Sequence, residues 1–175
     1  MISQVTLTVG DILVAEADVI VNAANTDMIM GGGVAREILN EAGPEIEEEA
    51  MAQAPVAIGD VVVTSAGNLA AEHILHVAVV GGATPDLYEC TRNVLERAAE
   101  LGAESVALPA LGTGSAGVEP SVAAPSICQA LKDFIDETGS GMKIQLIIYE
   151  DEMYEAFEDA LAEAIGPTSP TQEGA

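Results

Sequence analysis

The chain contains six short runs of β-branched and aliphatic residues, and several of these runs place apolar residues on both faces of a strand. They span residues 5–9, 19–21, 61–64, 74–80, 105–108 and 144–149. A strand that is apolar on both faces must be covered on both faces, as the central strands of a parallel sheet are. The runs therefore predict a sheet that lies between two layers of helices.

Helical patterns separate these runs. The spacing of apolar residues predicts one helix from about Val34 to Gly43, one from Thr84 to Gly102 and one after Asp151. A further helix, with Ser121 as its N-cap, is predicted to end near Gly139, and the acidic stretch 45–53 is predicted to form an exposed turn or helix. Strands that alternate with helices, without a repeat of fixed period, predict a three-layer α/β/α sandwich.

The length of 175 residues suits one domain, which we assign to residues 1–166. The remaining residues, 167–175, have the composition of a disordered C-terminal tail. Hydrophobic residues make up 49% of the chain but aromatic residues only 3%, so the core must consist of aliphatic side chains. The sequence leaves the oligomeric state open.

The chain is strongly acidic: 29 Asp and Glu residues against five Lys and Arg residues give a formal net charge of -24. Such a charge disfavours nucleic acid as a partner, because phosphates are bound largely by Lys and Arg. The acidic residues are spread along the helices, and in this respect the sequence resembles proteins of extreme halophiles. We therefore expect its stability to rise with salt, which screens repulsion between surface carboxylates.

The cysteines and histidines do not form a metal motif. Cys90 and Cys128 lie within helical patterns, where packing is a better explanation than nucleophilic chemistry. His73 and His76 are three residues apart on a predicted strand and should point to opposite faces. We therefore predict no metal and no cofactor. The sequence also shows no membrane span and no basic leader, and we expect a cytoplasmic protein.

Three junctions between a strand and a loop stand out as candidate binding elements. The first is VIVNAANT at residues 19–26, followed by MGGGVA at 30–35; the second is ALPALGTGSAGV at 107–118; the third is VGDI at 9–12. Glycine-rich loops before helices can present backbone N–H groups to an anion. No charged residue occurs between Glu104 and Glu119, which suits a loop that binds phosphate through its backbone alone.

In this order and spacing, GDI, VNAAN, GGGVA and LPALGTGSAG resemble the macro domain family over about residues 5–165. The resemblance implies a mixed, largely parallel sheet and a cleft that binds ADP-ribose or a derivative of it. It implies that Asp11 accepts the adenine amino group, that the Ile12 N–H contacts a ring nitrogen, and that Asn25 hydrogen-bonds the distal ribose. It also assigns Asn22 to the ligand site.

The remaining implied ligand contacts come from the two glycine-rich loops and one aromatic residue. Gly32, Gly33 and Val34 would line one side of the diphosphate; Thr113, Gly114, Ser115, Ala116 and Gly117 would line the other. Tyr149 falls where the family often stacks an aromatic ring on adenine. A purely structural role, in which Tyr149 covers the core at its rim, explains this residue equally well.

Two departures from the family pattern bear on catalysis. The family branch that removes ADP-ribose from carboxylates carries an acidic residue two positions after the triple glycine, where this chain has Ala35. A bulky pair usually follows the glycine of the second loop, where this chain has Ser115 and Ala116.

The sequence therefore leaves open whether the domain is a binding module or an ADP-ribosyl or O-acetyl-ADP-ribose hydrolase. In the second case Asn25 is the catalytic residue and turnover is slow. A nicotinamide oxidoreductase is disfavoured, because GxGxxG does not follow the first strand.

Overall fold

A computed structural model describes residues 4–166 as a six-stranded sheet with helices on both faces. The strand order is β1-β6-β5-β2-β4-β3, and only β3 runs antiparallel to its neighbour. The predicted mixed, largely parallel sheet and the three-layer architecture are confirmed. The predicted disordered tail, residues 167–175, lies outside the described residues.

The strands coincide closely with the apolar runs of the sequence. Their bounds are β1 Val5–Val9, β2 Val19–Asn25, β3 Val61–Ser65, β4 His73–Val80, β5 Ser105–Leu108 and β6 Lys143–Ile148. The largest difference is in β2, which continues four residues beyond the predicted run. Asn22 and Ala23 stay in the strand because they pair with His76 and Val77 of β4.

Five α-helices cover the sheet in two layers. Their bounds are α1 Gly33–Ala42, α2 Glu45–Met51, α3 Leu87–Glu100, α4 Pro120–Thr138 and α5 Asp151–Ile165, and a short 3-10 helix spans Ile12–Val14. α1 and α2 pack on one face of the sheet, and α3, α4 and α5 pack on the other. Aliphatic side chains fill most of both cores, with Phe134 and Phe157 as the large buried aromatic residues.

Two helix starts differ from the predicted ones. α3 begins after Asp86, whose carboxylate accepts a hydrogen bond from the Glu89 N–H at 3.1 Å, so Asp86 and not Thr84 is the N-cap. α4 begins at Pro120, before the predicted Ser121 cap, because proline is well suited to the first helical position. Pro125 consequently lies inside α4, where it lacks one helical N–H donor.

Between residues 4 and 166, no helix combines the length and the apolarity that crossing a bilayer requires.

Candidate functional site

The carboxyl ends of β1, β6, β5, β2 and β4 meet at one edge of the sheet, because these five strands are parallel. The loops that leave them include all three junctions singled out in the sequence. Binding clefts of open α/β sheets form at this edge. Two adjoining cavities are found here, and we call them the outer and the inner cavity.

The outer cavity has a volume of about 350 Å³. It is lined by ten of the predicted ligand residues: Asp11, Ile12, Gly32, Gly33, Val34, Thr113, Gly114, Ser115, Ala116 and Tyr149. The inner cavity, of about 300 Å³, is lined by Asn22, Asn25 and His76 among others. Gly32, Ala35 and Ser115 line both cavities, which therefore adjoin where the two glycine-rich loops approach each other. Both volumes are in the range of small-molecule sites, about 300 to 1,000 Å³.

The loop after β1 brings Asp11 to one end of the outer cavity. The Gly10 N–H donates to the Ile148 carbonyl at 2.9 Å and so holds this loop beside Tyr149. Asp11 caps the short 3-10 helix, since its Oδ1 accepts from the Leu13 N–H at 2.9 Å. The second carboxylate oxygen and the Ile12 N–H have no hydrogen-bond partner among the described residues. This end of the cavity therefore presents an acceptor and a donor side by side.

The first glycine-rich loop leads into the N-terminus of α1. Gly32 is the N-cap, and the N–H groups of the first turn, including those of Gly33 and Val34, have no acceptor within the helix. Glu47 of α2 supports the loop by accepting a hydrogen bond from the Met30 N–H at 2.7 Å. A Cβ atom at Gly32 or Gly33 would meet no protein atom within 4 Å. The loop thus leaves open space beside N–H groups at the positive end of a helix dipole, which favours an anion.

The second glycine-rich loop faces the first across the outer cavity. Within it, the N–H groups of Thr113, Gly117 and Val118 donate to carbonyls of the same loop. The intervening N–H groups of Gly114, Ser115 and Ala116 have no acceptor among the described residues. Successive free N–H groups of this kind form an anion-binding concavity.

Gly117 is the predicted site residue that lines neither cavity. Its φ is +70°, and its N–H donates to the Gly114 carbonyl at 2.9 Å. The glycine therefore closes the turn that shapes the loop, and its contribution is to hold Gly114 to Ala116 in place.

A buried chain of hydrogen bonds ends at the inner cavity. The Thr64 hydroxyl donates to the Ser65 carbonyl at 2.9 Å, so its oxygen accepts from His76 Nε2, also at 2.9 Å. His76 Nδ1 then accepts from Asn22 Nδ2 at 3.0 Å. Asn22 Oδ1 is the one buried side-chain polar atom without a partner among the described residues. Burial lowers the pKa of His76 to about 4, so the imidazole is neutral at pH 7.

Asn25 braces the loop that it begins. Its Oδ1 accepts from the N–H groups of Asp27 and Ile29, and its Nδ2 donates to the Ile29 carbonyl at 2.8 Å. One N–H of the amide is left for a ligand in the inner cavity. Asn25 is therefore suited to positioning a ligand. It is not suited to act as a general base, because its Oδ1 already accepts two hydrogen bonds.

Other chemistry considered from the sequence finds no support in the described residues. No group of three or more His, Cys, Asp and Glu side chains there could hold a metal ion. Burial raises the pKa of Cys90 to about 11 and that of Cys128 to about 12, so both remain protonated thiols.

The sequence reasoning missed three side chains that the structure brings to the site. His76 was considered only as a possible metal ligand and set aside, whereas it lines the inner cavity. Glu37 of α1 and Glu150 after β6 line the outer cavity. The helical spacing of four residues between Gly33 and Glu37 could have indicated a shared face.

Comparison with known proteins decides the family. The model of the family described as "Macro domain" matches residues 21–127, which is more than half of the chain. The chain belongs to the macro domain family. A protein of Pyrobaculum aerophilum is 40% identical to this macro domain over 161 residues, covering 88% of each chain. A protein of Aquifex aeolicus is 38% identical over 157 residues, covering 87% of this chain and 94% of the other.

Solved macrodomain structures share the fold. A mutant Oceanobacillus iheyensis macrodomain solved with ADPR superposes with a TM-score of 0.84 at 29% identity, covering 92% of this chain and 93% of that one. A Trypanosoma brucei macrodomain in complex with ADP-ribose gives a TM-score of 0.83 at 28% identity, covering 90% of this chain and 69% of that one.

Proposed function

We propose that this macro domain binds ADP-ribose, or a molecule that carries it, across the outer and inner cavities. The adenosine occupies the outer cavity beside Asp11 and Tyr149, the diphosphate lies between the two glycine-rich loops, and the distal ribose enters the inner cavity beside Asn22 and Asn25. The ADP-ribose complexes of structurally similar macrodomains support this choice of ligand.

The observation that carries the proposal is the pair of free N–H rows. The first turn of α1 supplies one row and Gly114 to Ala116 supply the other, with open space at Gly32, Gly33 and Gly114 between them. A diphosphate supplies oxygens to both rows at once. Backbone dipoles can hold it without a basic side chain.

The two ends of the ligand have matching groups. The free carboxylate oxygen of Asp11 suits an amino donor, and the Ile12 N–H suits a ring-nitrogen acceptor, which together describe the edge of adenine. In the inner cavity, the remaining N–H of the Asn25 amide suits a sugar oxygen.

Selectivity tests this assignment. Calorimetric titrations in molar KCl should give tighter binding of ADP-ribose than of AMP, ADP or NAD, because AMP and ADP lack the distal ribose, and in NAD that ribose carries nicotinamide where ADP-ribose carries a free hydroxyl. Equal affinities for AMP and ADP-ribose would remove the diphosphate and the distal ribose from the proposal.

Slow hydrolysis of ADP-ribosyl esters is a second candidate function, favoured by the position of Asn25 at the inner cavity. Water would add to the ester carbonyl and pass a proton to the ligand's own phosphate. The bond between the carbonyl carbon and the ribose oxygen would then break, and the phosphate would return the proton to the ribose oxygen, giving a carboxylic acid and a free ribose hydroxyl. Ala35 lines both cavities and offers no base. Lack of a protein base forgoes a factor of about a hundredfold to ten-thousandfold.

Three proteins distinguish a binding module from an enzyme. With an ester-linked substrate, Ala35→Asp should be faster than the wild type, and Asn25→Ala should be slower and bind more weakly. Rapid wild-type turnover that survives Asn25→Ala would contradict this mechanism. Tight ADP-ribose binding with no turnover would identify a pure binding module.

A further inference from the structure

The two cavities differ sharply in charge. Three acidic residues line the outer cavity, Asp11, Glu37 and Glu150, whereas no acidic residue lines the inner one. Neither cavity is lined by Lys or Arg. A ligand that spans both cavities therefore meets negative charge at one end only.

The basic residues lie elsewhere. Arg92, Arg97 and Lys132 form ion pairs with acidic residues of α3 and α4, on the opposite face of the sheet from α1. Arg36 follows Ala35 in α1 but is exposed and lines neither cavity. Among the described residues no Lys or Arg lines the outer cavity or forms an ion pair with a carboxylate that lines it.

Glu37 and Glu150 reach the outer cavity from two different elements. Glu37 lies one turn after Gly33 on α1, and Glu150 follows Tyr149 at the start of α5. Both are exposed, and neither has a side-chain hydrogen bond or an ion pair among the described residues. Neither carboxylate therefore makes a polar contact that stabilises the fold, and we look for their role in ligand binding.

This distribution of charge disfavours additional negative charge on the part of the ligand that lies in the outer cavity. Backbone N–H groups hold the diphosphate at short range, but they supply no net charge to offset the carboxylates at longer range. A further phosphate on the adenosine ribose would carry about -1.5 to -2 charges. Within about one Debye length, ~8 Å, of two carboxylates in water, such a phosphate would be repelled strongly enough to weaken binding by about threefold to thirtyfold, depending on screening.

We propose that Glu37 and Glu150 are specificity-determining residues that exclude ligands phosphorylated on the adenosine ribose and admit ADP-ribose with free hydroxyls. The inference rests on the proposed function, since it takes the adenosine to occupy the outer cavity. It names the ligand class more narrowly: adenosine-diphosphate sugars without a 2′-phosphate.

The experiment compares the dissociation constants of ADP-ribose and 2′-phospho-ADP-ribose by calorimetry. It uses the wild type, Glu37→Gln, Glu150→Gln and the double variant. Glu41→Gln, an exposed position on α1 that lines neither cavity, is the matched control. Titrations are made at the lowest KCl concentration at which circular dichroism reports folded protein, and again at 3 M KCl.

The wild type should prefer ADP-ribose by about tenfold at the lower salt, and the preference should shrink at 3 M KCl. The double variant should reduce it to about twofold, each single variant should have an intermediate effect, and Glu41→Gln should retain the wild-type ratio. ADP-ribose itself should bind the double variant at least as tightly as the wild type.

Equal wild-type affinities for the two ligands would overturn the inference. A preference that persists in the double variant would also overturn it, because shape and not charge would then exclude the phosphate. In both cases ADP-ribose still binds and the proposed function stands. Failure of ADP-ribose to bind any of the folded proteins would overturn the proposed function together with the inference.

Discussion

Gly114→Val should weaken ligand binding by at least about tenfold and leave the fold intact. Gly114 lines the outer cavity, and a Cβ atom there would meet no protein atom within 4 Å. Its φ lies outside the left-handed region, so its backbone does not require glycine. The fold therefore tolerates a side chain at this position, and the space that the side chain would fill is the space proposed for the diphosphate.

The size of the effect follows from the N–H groups that the valine would block. A hydrogen bond to a charged group contributes about 1.5 to 3 kcal/mol. Loss of one or two such bonds from Gly114 to Ala116 would weaken ADP-ribose binding by at least about tenfold, and by more than about a hundredfold if both are lost.

Gly112→Ala is the matched control within the same loop. Gly112 has a φ of +79°, and an added Cβ would lie 2.8 Å from Leu87 Cδ2. Left-handed backbone at a residue other than glycine costs about 1 to 3 kcal/mol, so this variant should melt at a lower temperature. Thermal melts and calorimetry on both proteins should show a lower melting temperature for Gly112→Ala and weaker ADP-ribose binding for Gly114→Val. A folded Gly114→Val protein that binds ADP-ribose as tightly as the wild type would refute the reasoning.

Three further predictions concern binding and stability. Asp11→Ala should weaken ADP-ribose binding by about tenfold or more in calorimetry, because it removes a charge-assisted hydrogen bond, and unchanged affinity would place Asp11 outside the site. The melting temperature should rise between low and molar KCl because salt screens the net charge of -24, whereas a flat or falling profile would contradict the halophilic interpretation. The free energy of unfolding should fall by up to about 3 kcal/mol between pH 6.5 and about pH 4, because the pKa of His76 is about 4 in the folded protein and near 6.5 in the unfolded chain, which therefore takes up a proton first. Urea midpoints of the wild type and His76→Gln should therefore converge as the pH falls, and a constant difference would contradict this assignment.

The sheet was predictable because each of its strands coincides with a run of apolar residues in the sequence. The observed β1 and β5 have the predicted bounds. The extension of β2 through Asn22 was not predictable, since asparagine disfavours strands. Asn22 stays in this strand because its backbone pairs with β4, and its side-chain amide donates to the buried His76.

The binding motifs of the candidate site were predictable from the sequence, but its division into an acidic outer cavity and an inner cavity without acidic residues was not. Glycines and free backbone groups follow from local sequence, and the structure brings them together at one edge of the sheet. The charge of the outer cavity depends on Glu37 and Glu150, which lie on separate elements far apart in the sequence. The four-residue spacing from Gly33 points to Glu37, but nothing local distinguishes Glu150 from the other carboxylates of the chain, so only the fold identifies Glu150.

The central claim is that free backbone N–H groups of two loops hold the diphosphate of ADP-ribose. The most direct measurement is an NMR titration that follows the amide resonances of the ¹⁵N-labelled protein in molar KCl. The account predicts large shifts at Gly33, Val34, Gly114 and Ser115, with little change at Gly102, which lies at the end of α3 away from both cavities. Saturable binding that leaves the amides of both glycine-rich loops unshifted would contradict it.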